Sequence, residues 1–310
     1  MKKAGAIDVG SNTLRLLIAR IEGNRVLPVC RDREMVRLGR NFFPERVIGR
    51  QTLESALKVL ERFQRTGVQE GVTRFRAAGT GILRVSTNTH QFLEAVRRTT
   101  GISIEILSGE EEARLSALGV LSVFQNITGP GCIFDLGGGS VEFTWVRSGR
   151  IRETVSLPLG AVGLTEQFLL SDPPLKQEIG RLRGHCLKAL RTRIPINKSV
   201  SCLIGTAGTV TTLTAMAKKL VEYDPSRING SVLDRDALNR LLFELTSIPL
   251  TTRQKLPGLE PGRADIITAG LVVVLSILDF FDTDTLRVSD AGLLEGLLLD
   301  GSANEIGRRV

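Results

Sequence analysis

The chain contains few aromatic rings, few histidines and few cysteines. Its 310 residues include one Trp, one Tyr, two His and four Cys. So few rings offer little stacking for nucleic-acid bases, and neither a zinc-finger nor a basic-zipper pattern occurs, so we expect no nucleic-acid partner. The four cysteines show no paired metal-ligand spacing, and we expect reduced, mostly buried thiols.

Long apolar runs are also missing. No stretch approaches the roughly 18 apolar residues that span a bilayer, and the N-terminus reaches Asp8 before a signal-peptide core could form. These absences predict a cytoplasmic protein with no membrane partner. The hydrophobic fraction of 42% suffices for the cores of two domains.

The net charge of +8 favours a polyanionic partner. Lys and Arg are, however, spread along the whole chain. A basic solvated surface therefore explains the charge equally well, and charge alone leaves both explanations open.

The apolar pattern alternates between strands and helices. The stretches AGAIDV, LRLLIARI and RVLPVCRD have the apolar content of consecutive strands. Helical patterns follow at about residues 50–66 and 88–99, with strands near residues 73–78 and 102–107. This alternation predicts an α/β protein, and the chain becomes mostly helical after the strand IRETVSL.

Two short segments of the chain repeat one another. The segment DVGSNTL at residues 8–14 aligns with DLGGGSV at residues 135–141. The acid, the aliphatic residue, the first glycine and the hydroxyl coincide. Because each segment lies within a strand, turn, strand hairpin, the repeat predicts a duplicated fold.

The repeated loop has the composition of a phosphate-binding hairpin. Glycines permit positive φ and close approach of a ligand, so that successive N–H groups converge on an anion. The dinucleotide motif needs a helix after its glycines, whereas residues 141–146 alternate like a strand, and the P-loop lysine is missing. Neutralising charge must therefore come from backbone dipoles, an arginine elsewhere or a metal.

Three carboxylates flank the two hairpins. Asp8, Asp135 and Glu142 offer the oxygen ligands that Mg²⁺ or another divalent cation prefers. The alternative is a pair of tight turns whose acids merely end strands.

The stretch LSGEEEARLSALGV begins a helix with three glutamates. Ser108 has the position of an N-cap, and the Ser-x-x-Glu spacing makes Glu111 its capping-box partner. The helix dipole accounts for Glu110 in the first turn. Glu112 then lacks a structural explanation, although a merely acidic helix start explains all three residues from spacing alone.

Together these motifs resemble the exopolyphosphatase and guanosine pentaphosphate phosphohydrolase family. This family belongs to the superfamily of actin, sugar kinases, acetate kinase and the large heat-shock chaperones. AIDVGSNTLRLLIA and FDLGGGSVEF look like its two phosphate motifs, and FRAAGTGILRVSTN is similar to the segment that supplies an arginine, here Arg84. SLPLGAVGLTEQFLLSDPP, IGTAGTVTTL and VSDAGLLEGLLL match further family segments.

The chain departs from the family pattern at three places. The alanine-threonine pair that usually precedes the arginine reads Gly79-Thr80. Ala207 stands where glycine is usual, and Leu294 where arginine is common. An anion contact at Leu294 is therefore in doubt.

The resemblance implies a two-domain actin-like fold, a duplicated ribonuclease-H-like α/β architecture with the active site in the interdomain cleft. We expect domain I at residues 1–124 and domain II at residues 125–289. A C-terminal helix at about residues 290–310 should pack back on domain I.

The resemblance also implies roles for individual residues. Glu112 corresponds to the general base, and Arg84 corresponds to an arginine that helps to hold the phosphate. Asp135 and Glu142, with Asp8, would hold the Mg²⁺. The expected phosphate-binding residues are Gly10, Ser11, Asn12, Thr13, Gly137, Gly138, Gly139 and Ser140. A turn with Gly205, Thr206, Gly208 and Thr209 is either a nucleotide or polyphosphate contact or a purely structural strand-to-helix turn.

The expected function is that of an exopolyphosphatase, which releases terminal phosphate from inorganic polyphosphate. Removal of the 5′ phosphate of guanosine pentaphosphate at the same site is the alternative. An ATP-dependent kinase would need an acceptor domain with an aspartate base, and a non-enzymatic actin-like protein has no need of Arg84 and Glu112 together. The expected partner is polyphosphate or guanosine pentaphosphate, and a homodimer is left open.

Overall fold

The chain folds into two compact units. The computed structural model describes residues 3–40, 42, 44–72, 75–124, 127, 129–195 and 200–306. Unit 1 comprises Met1–Gln125 and Ala291–Val310, and unit 2 comprises Asn126–Asp290. Three stretches with sequence predictions lie outside the described residues: Gln125 at the predicted domain boundary, residues 73 and 74 at the start of a predicted strand, and residues 307–310.

Helices and strands have the following bounds. The strands are β1 (Lys3–Val9), β2 (Thr13–Glu22), β3 (Arg25–Met35), β4 (Phe75–Gly79), β5 (Ile104–Ile106), β6 (Pro130–Leu136), β7 (Val141–Arg147), β8 (Arg150–Leu157), β9 (Cys202–Thr206), β10 (Val232–Asp234) and β11 (Thr285–Val288). The helices are α1 (Arg50–Gln69), α2 (Thr89–Thr100), α3 (Gly109–Val123), α4 (Ala161–Phe168), α5 (Lys176–Arg193), α6 (Ala207–Ala217), α7 (Pro225–Ile228), α8 (Arg235–Ser247), α9 (Leu250–Arg253), α10 (Ile267–Phe280) and α11 (Leu293–Ile306). Two 3₁₀ turns span Gly81–Arg84 and Pro261–Arg263.

The sheets of the two units have the same topology. The unit 1 sheet has the order β3-β2-β1-β4-β5, in which β1, β2 and β3 are antiparallel and β4 and β5 run parallel to β1. The unit 2 sheet has the order β8-β7-β6-β9-β11, with the same directions, and adds β10 at its edge. The predicted duplicated α/β fold is confirmed.

Strand β1 is buried on both faces, as its nearly continuous apolar sequence requires. Because side chains alternate along a strand, Ile7 and Val9 join one apolar cluster, with Phe63 of α1 and Phe92 of α2. Ala6 joins a second cluster on the opposite face, with side chains of α3 and α11.

Glycines bring α3 and α11 into close contact. A Cβ on Gly296 would lie 1.8 Å from the carbonyl oxygen of Leu115, and a Cβ on Gly119 would lie 1.9 Å from that of Gly292. Such distances exclude any side chain at these positions. The C-terminal helix thereby supports α3, the helix that carries Glu112.

Neither disulfides nor membrane-spanning helices occur in the part of the chain that the structure describes. Cys132 and Cys186 are buried, whereas Cys30 and Cys202 are partly exposed. Burial raises the pKa of the Cys186 thiol to about 12, so this group stays protonated at neutral pH.

Candidate active site

Hairpin 1, the turn between β1 and β2, is fixed by backbone hydrogen bonds. Gly10 N donates to Thr13 O over 3.2 Å. The loop after β3 docks on the same turn, where Gly39 N donates to Ser11 O and Arg37 N donates to Asn12 O, both over 2.8 Å. The turn therefore has a defined backbone in the absence of any ligand.

Two buried polar atoms of hairpin 1 lack partners among the described residues. Asp8 is 3% exposed, and Arg15, opposite it in the strand register, donates from Nε and Nη2 to its Oδ2 over 2.8 and 2.6 Å. Asp8 Oδ1 accepts no hydrogen bond, and the buried Asn12 Nδ2 donates none. Buried polar groups are normally paired, so this acceptor and this donor mark a place for a ligand or ordered water.

Hairpin 2, between β6 and β7, repeats the same turn. Gly137 N donates to Ser140 O over 3.0 Å. The start of α4 supports it, because Val162 N donates to Gly138 O over 2.9 Å and a Cβ on Gly160 would lie 2.2 Å from the carbonyl carbon of Gly139. Close backbone approach is what requires glycine here.

The hairpin glycines do not adopt the positive φ that glycine permits. The glycines with positive φ lie elsewhere among the described residues, and Gly10 and Gly137–Gly139 are not among them. The lack of a Cβ at these positions permits close approach to the backbone without positive φ.

A row of polar side chains crosses the unit 2 sheet beside hairpin 2. Asp135 on β6 is opposite Glu142 on β7 and beside Thr206 on β9, and Glu142 is in turn opposite Ser156 on β8. Ser156 Oγ donates to Glu142 Oε1 over 2.8 Å. Both carboxylates are buried, with Asp135 7% and Glu142 1% exposed.

The chemistry of the Asp135 and Glu142 pair suits a hard cation. Directly opposed side chains on antiparallel strands have Cβ atoms about 5 Å apart, so two carboxylates there repel unless positive charge compensates them. Mg²⁺ usually takes one or two carboxylates and completes its shell with water and phosphate oxygens. Within the described ranges no group of three or more His, Cys, Asp or Glu is placed to hold a metal. The assignment of Asp8 as a third ligand stays a prediction.

The structure brings Arg84 and Glu112 together within unit 1. Arg84 ends the first 3₁₀ turn, and its Nη1 forms an ion pair with Glu112 Oε2 in the first turn of α3. The same nitrogen donates to Leu107 O over 3.4 Å. The Arg84 side chain is 19% exposed and that of Glu112 10%. A carboxylate and a guanidinium are thus in direct contact at a largely buried place in unit 1.

The start of α3 is capped differently from the prediction. Ser108 Oγ accepts from Glu111 N over 3.1 Å, which confirms the N-cap. The Glu111 carboxylate instead binds Arg114 Nε and Nη2 over 2.9 and 2.8 Å, and these bonds lower the pKa of the Glu111 carboxyl. The assignment of Glu111 as a capping-box partner is therefore wrong, and a side-chain ion pair gives it a different structural role.

Arg114 also ties α3 to the C-terminal helix. Its Nη2 donates to Asp300 Oδ1 over 2.8 Å, and Arg76 Nη1 donates to Asp300 Oδ2 over 2.6 Å. Burial opposes ionisation of Asp300, but hydrogen bonds from the two arginines lower its pKa overall. This network adds to the glycine contacts that hold α3 in place.

The turn from β9 to α6 has an unusual backbone. Ala207 has a φ of +72°, a left-handed conformation that costs a non-glycine residue about 1 kcal/mol. A Cβ on Gly208 would lie 2.5 Å from both terminal nitrogens of Arg263, so this guanidinium packs directly on the helix start. Thr206 and Thr209 are buried beside it, and Gly205 lies in β9, against the Phe134 ring.

A model of the Ppx/GppA phosphatase family matches residues 17–305 of this chain. The chain belongs to that family. The resemblance indicated by the sequence motifs is confirmed.

Relatives of this Ppx/GppA protein include bacterial enzymes. The chain is 32% identical, over 97% of its length, to a bifunctional 3-dehydroquinate synthase/phosphatase of Fusobacterium nucleatum, but it spans only 46% of that protein. It is 30% identical to exopolyphosphatase 2 of Mycobacterium tuberculosis, with 96% of the chain and 98% of that protein aligned. The crystal structure of the Aquifex aeolicus Ppx/GppA family member is similar with a TM-score of 0.84 and 32% identity, covering 98% of both chains. The two-domain actin-like fold is confirmed.

Sequence reasoning missed two arginines of this Ppx/GppA protein. Arg15 stands at the point of the first repeat where the second has Glu142, so a longer alignment of the two segments would have drawn attention to it. Arg263 follows a Pro-Gly pair in a short 3₁₀ turn. No local pattern points to Arg263, because its contact with Gly208 joins residues distant in sequence.

Proposed function

We propose that this Ppx/GppA protein is an exopolyphosphatase that hydrolyses the terminal phosphoanhydride bond of inorganic polyphosphate. The observation that carries the proposal is the Arg84 and Glu112 pair, which lies in the same unit as hairpin 1 and is joined to it by the hydrogen bond from Ile82 N to Ser11 Oγ. A base, a cation and a set of N–H donors are what phosphate hydrolysis requires. The name of the Mycobacterium tuberculosis relative supports this substrate.

Each hairpin would bind phosphate oxygens through its main-chain N–H groups. In hairpin 1, the buried donor Asn12 Nδ2 has no acceptor among the described residues, and a phosphate oxygen would supply one. In hairpin 2, the glycines at 137–139 place no side chain over the backbone. Arg84 would add a positive charge to the terminal phosphate, where negative charge is spread over three oxygens during transfer.

Glu112 would act as the general base. It would orient a water, accept its proton, and direct the oxygen to the terminal phosphorus. A P–O bond to water forms, the anhydride P–O bond breaks, and the shortened polyphosphate leaves with the bridging oxygen. The contact with Arg84 holds Glu112 Oε2 in place and so orients the carboxylate.

Asp135 and Glu142 would hold the Mg²⁺, which supplies positive charge to the phosphate oxygens of the substrate. Ser156 orients Glu142 for this purpose by its hydrogen bond to Oε1. Asp8, neutralised on Oδ2 by Arg15, would use its remaining oxygen to accept from a water. Another divalent cation of similar size would serve in place of Mg²⁺.

Guanosine pentaphosphate is the second candidate substrate. The observation that favours it is the buried Arg263 guanidinium packed on Gly208 at the start of α6. A helix start with an adjacent arginine suits the phosphates of a nucleotide. The same Glu112 and Arg84 would remove its terminal 5′ phosphate.

A phosphate-release assay tests both candidates. Purified protein with Mg²⁺ is given long-chain polyphosphate, guanosine pentaphosphate or ATP, and orthophosphate is measured over time. We expect release from polyphosphate, with or without release from guanosine pentaphosphate, and little from ATP. Release from none of the three would contradict the proposed enzymatic function. Release from guanosine pentaphosphate alone would make it the substrate in place of polyphosphate.

We also propose that the protein works in the cytoplasm, where its four cysteines would remain reduced. A homodimer remains an expectation.

A further inference from the structure

We propose that Asn88 is a positioning residue for Arg84. It would hold the turn that carries this arginine at a set place beside hairpin 1. The inference rests on the proposed function, because Arg84 acts on phosphate there. Asn88 itself would touch neither substrate nor metal.

The Asn88 side chain clamps one backbone position of the loop after β3. Its Nδ2 donates to Ile48 O over 2.9 Å, and its Oδ1 accepts from Ile48 N over 2.9 Å. Ser86 Oγ donates to the same Oδ1 over 2.6 Å. Both polar atoms of the Asn88 amide thus form hydrogen bonds, and this arrangement needs a donor and an acceptor side by side.

Two hydrogen bonds hold the two residues that directly precede Arg84. Ile82 N donates to Ser11 Oγ of hairpin 1 over 3.0 Å. Thr89 Oγ1 donates to Leu83 O over 2.8 Å, and Thr89 follows Asn88 directly. A shift of Asn88 would therefore pull on the residue next to Arg84.

The clamped loop returns to hairpin 1 and closes a ring. From Ile48 the chain leads back to Gly39 and Arg37, whose N–H groups bind Ser11 O and Asn12 O. The ring thus runs from hairpin 1 through Ile82, Asn88 and Ile48 and back to hairpin 1. The ring consists of these hydrogen bonds and of the chain segments between them, so a shift at one bond is passed to its neighbours.

Losing the clamp should affect turnover more than binding. The hairpin bonds Gly10 N to Thr13 O and Arg37 N to Asn12 O do not involve Asn88, so phosphate binding would persist. Arg84 would lose its fixed position, and misplacement of a catalytic group by about 1 Å can cost up to 100-fold in rate. The expected signature is a lower kcat with nearly constant KM.

The experiment uses Asn88→Ala and Asn88→Asp in the full chain, with polyphosphate as substrate. Aspartate keeps the acceptor but sets a carboxylate against Ile48 O, so both variants should lose about 10-fold or more in kcat while KM changes about 2-fold or less. The matched control is Thr100→Ala, which removes a similar clamp at the other end of α2, between Thr100 Oγ1, Val96 O and Ile102 N. Its kcat should stay near that of the unaltered protein.

A double variant separates positioning from general damage. If Asn88 acts through Arg84, Asn88→Ala should cost nothing further in the residual activity of Arg84→Ala. A full additional loss in that background, or an unchanged kcat in Asn88→Ala alone, would overturn the inference.

Hydrogen exchange tests the ring without any activity. The amides of Ile82 and Ile48 should exchange faster in Asn88→Ala, and in the milder Ser86→Ala to a smaller extent, than in the unaltered protein. Unchanged exchange at both amides overturns the inference even if the protein releases phosphate. Absence of phosphate release from the unaltered protein would instead contradict the proposed function. The exchange rates of Ile82 and Ile48 would still show whether Asn88 holds the ring.

Discussion

Hairpin 1 and hairpin 2 have the same backbone and opposite charge at one position. The bond from Gly10 N to Thr13 O in unit 1 has its counterpart from Gly137 N to Ser140 O in unit 2, at 3.2 and 3.0 Å. The residue opposite the first acid is Arg15 in unit 1 and Glu142 in unit 2. The backbone of the repeat is thus retained while the charge beside it differs.

This difference indicates that the two hairpins interact with different groups. In unit 1 an arginine neutralises Asp8, so the hairpin offers N–H groups without a net acidic pair. In unit 2 two buried acids lie side by side and favour a cation. Glu112, the proposed base, and Arg84 belong to unit 1 alone.

The largest expected effect concerns the base. Glu112→Gln keeps the size of the side chain but removes its ability to accept a proton, so kcat should fall about 100-fold or more while substrate binding persists. The measurement is steady-state phosphate release together with substrate binding by calorimetry. The control is Glu110→Gln, which changes an exposed acid two residues before Glu112 in the same helical turn. Equal losses in both variants would contradict a special role for Glu112.

The next effect probes the charge difference between the hairpins directly. Glu142→Gln should raise the Mg²⁺ concentration for half-maximal activity about 10-fold or more, because one anionic ligand becomes neutral. The readout is activity over a Mg²⁺ titration. Arg15→Gln in hairpin 1 should not raise this concentration. A similar rise in both variants would show that the two hairpins are not specialised in this way.

A smaller effect concerns stability, and compares helical glycines of the two units. Gly296→Ala in unit 1 should lower the free energy of unfolding by about 1–3 kcal/mol, because its methyl group would collide with Leu115 O. Gly180→Ala on α5 of unit 2 has no atom within 4 Å of the new Cβ and should raise stability by up to about 1 kcal/mol. Urea unfolding followed by circular dichroism measures both. Equal changes would mean that the α3 and α11 contact is not close.

The smallest effect concerns the backbone of the β9 to α6 turn. Ala207→Gly should raise the free energy of unfolding by about 1 kcal/mol or less, because glycine adopts the left-handed conformation without a steric cost. Thermal unfolding measures it. The control Ala215→Gly, inside α6, should be destabilising instead. A loss of stability in Ala207→Gly would contradict the strain assigned to this residue.

Much of the fold could be predicted from local sequence. The repeat at residues 8–14 and 135–141 indicated the duplication, and strand and helix patterns followed the period of their apolar residues. The N-cap Ser108 was also correct, because capping involves neighbours three residues apart. The capping-box assignment was wrong, although it was also local, because the Glu111 carboxylate binds Arg114 instead. Of the two properties of glycine, close approach is used at hairpin 2 and positive φ is not.

The candidate site could be predicted only in part. Family resemblance supplied Arg84 and Glu112 as separate residues, but no sequence pattern shows that they form an ion pair across 28 positions. The contact of Arg263 with Gly208 and the Asn88 clamp on Ile48 are likewise long-range. Such contacts depend on how helices and loops pack, and packing is not periodic along the chain.

By itself, the sequence determined the duplicated strand order, the glycine turns and the acids that end β1 and β6, because hydrophobic periodicity and turn composition act over a few residues. The tertiary structure decided which charges meet: Arg15 with Asp8, Glu142 with Asp135, and Arg84 with Glu112. The reason is physical, since charged side chains attract or repel one another when the fold brings them within a few ångströms, wherever they stand in the chain.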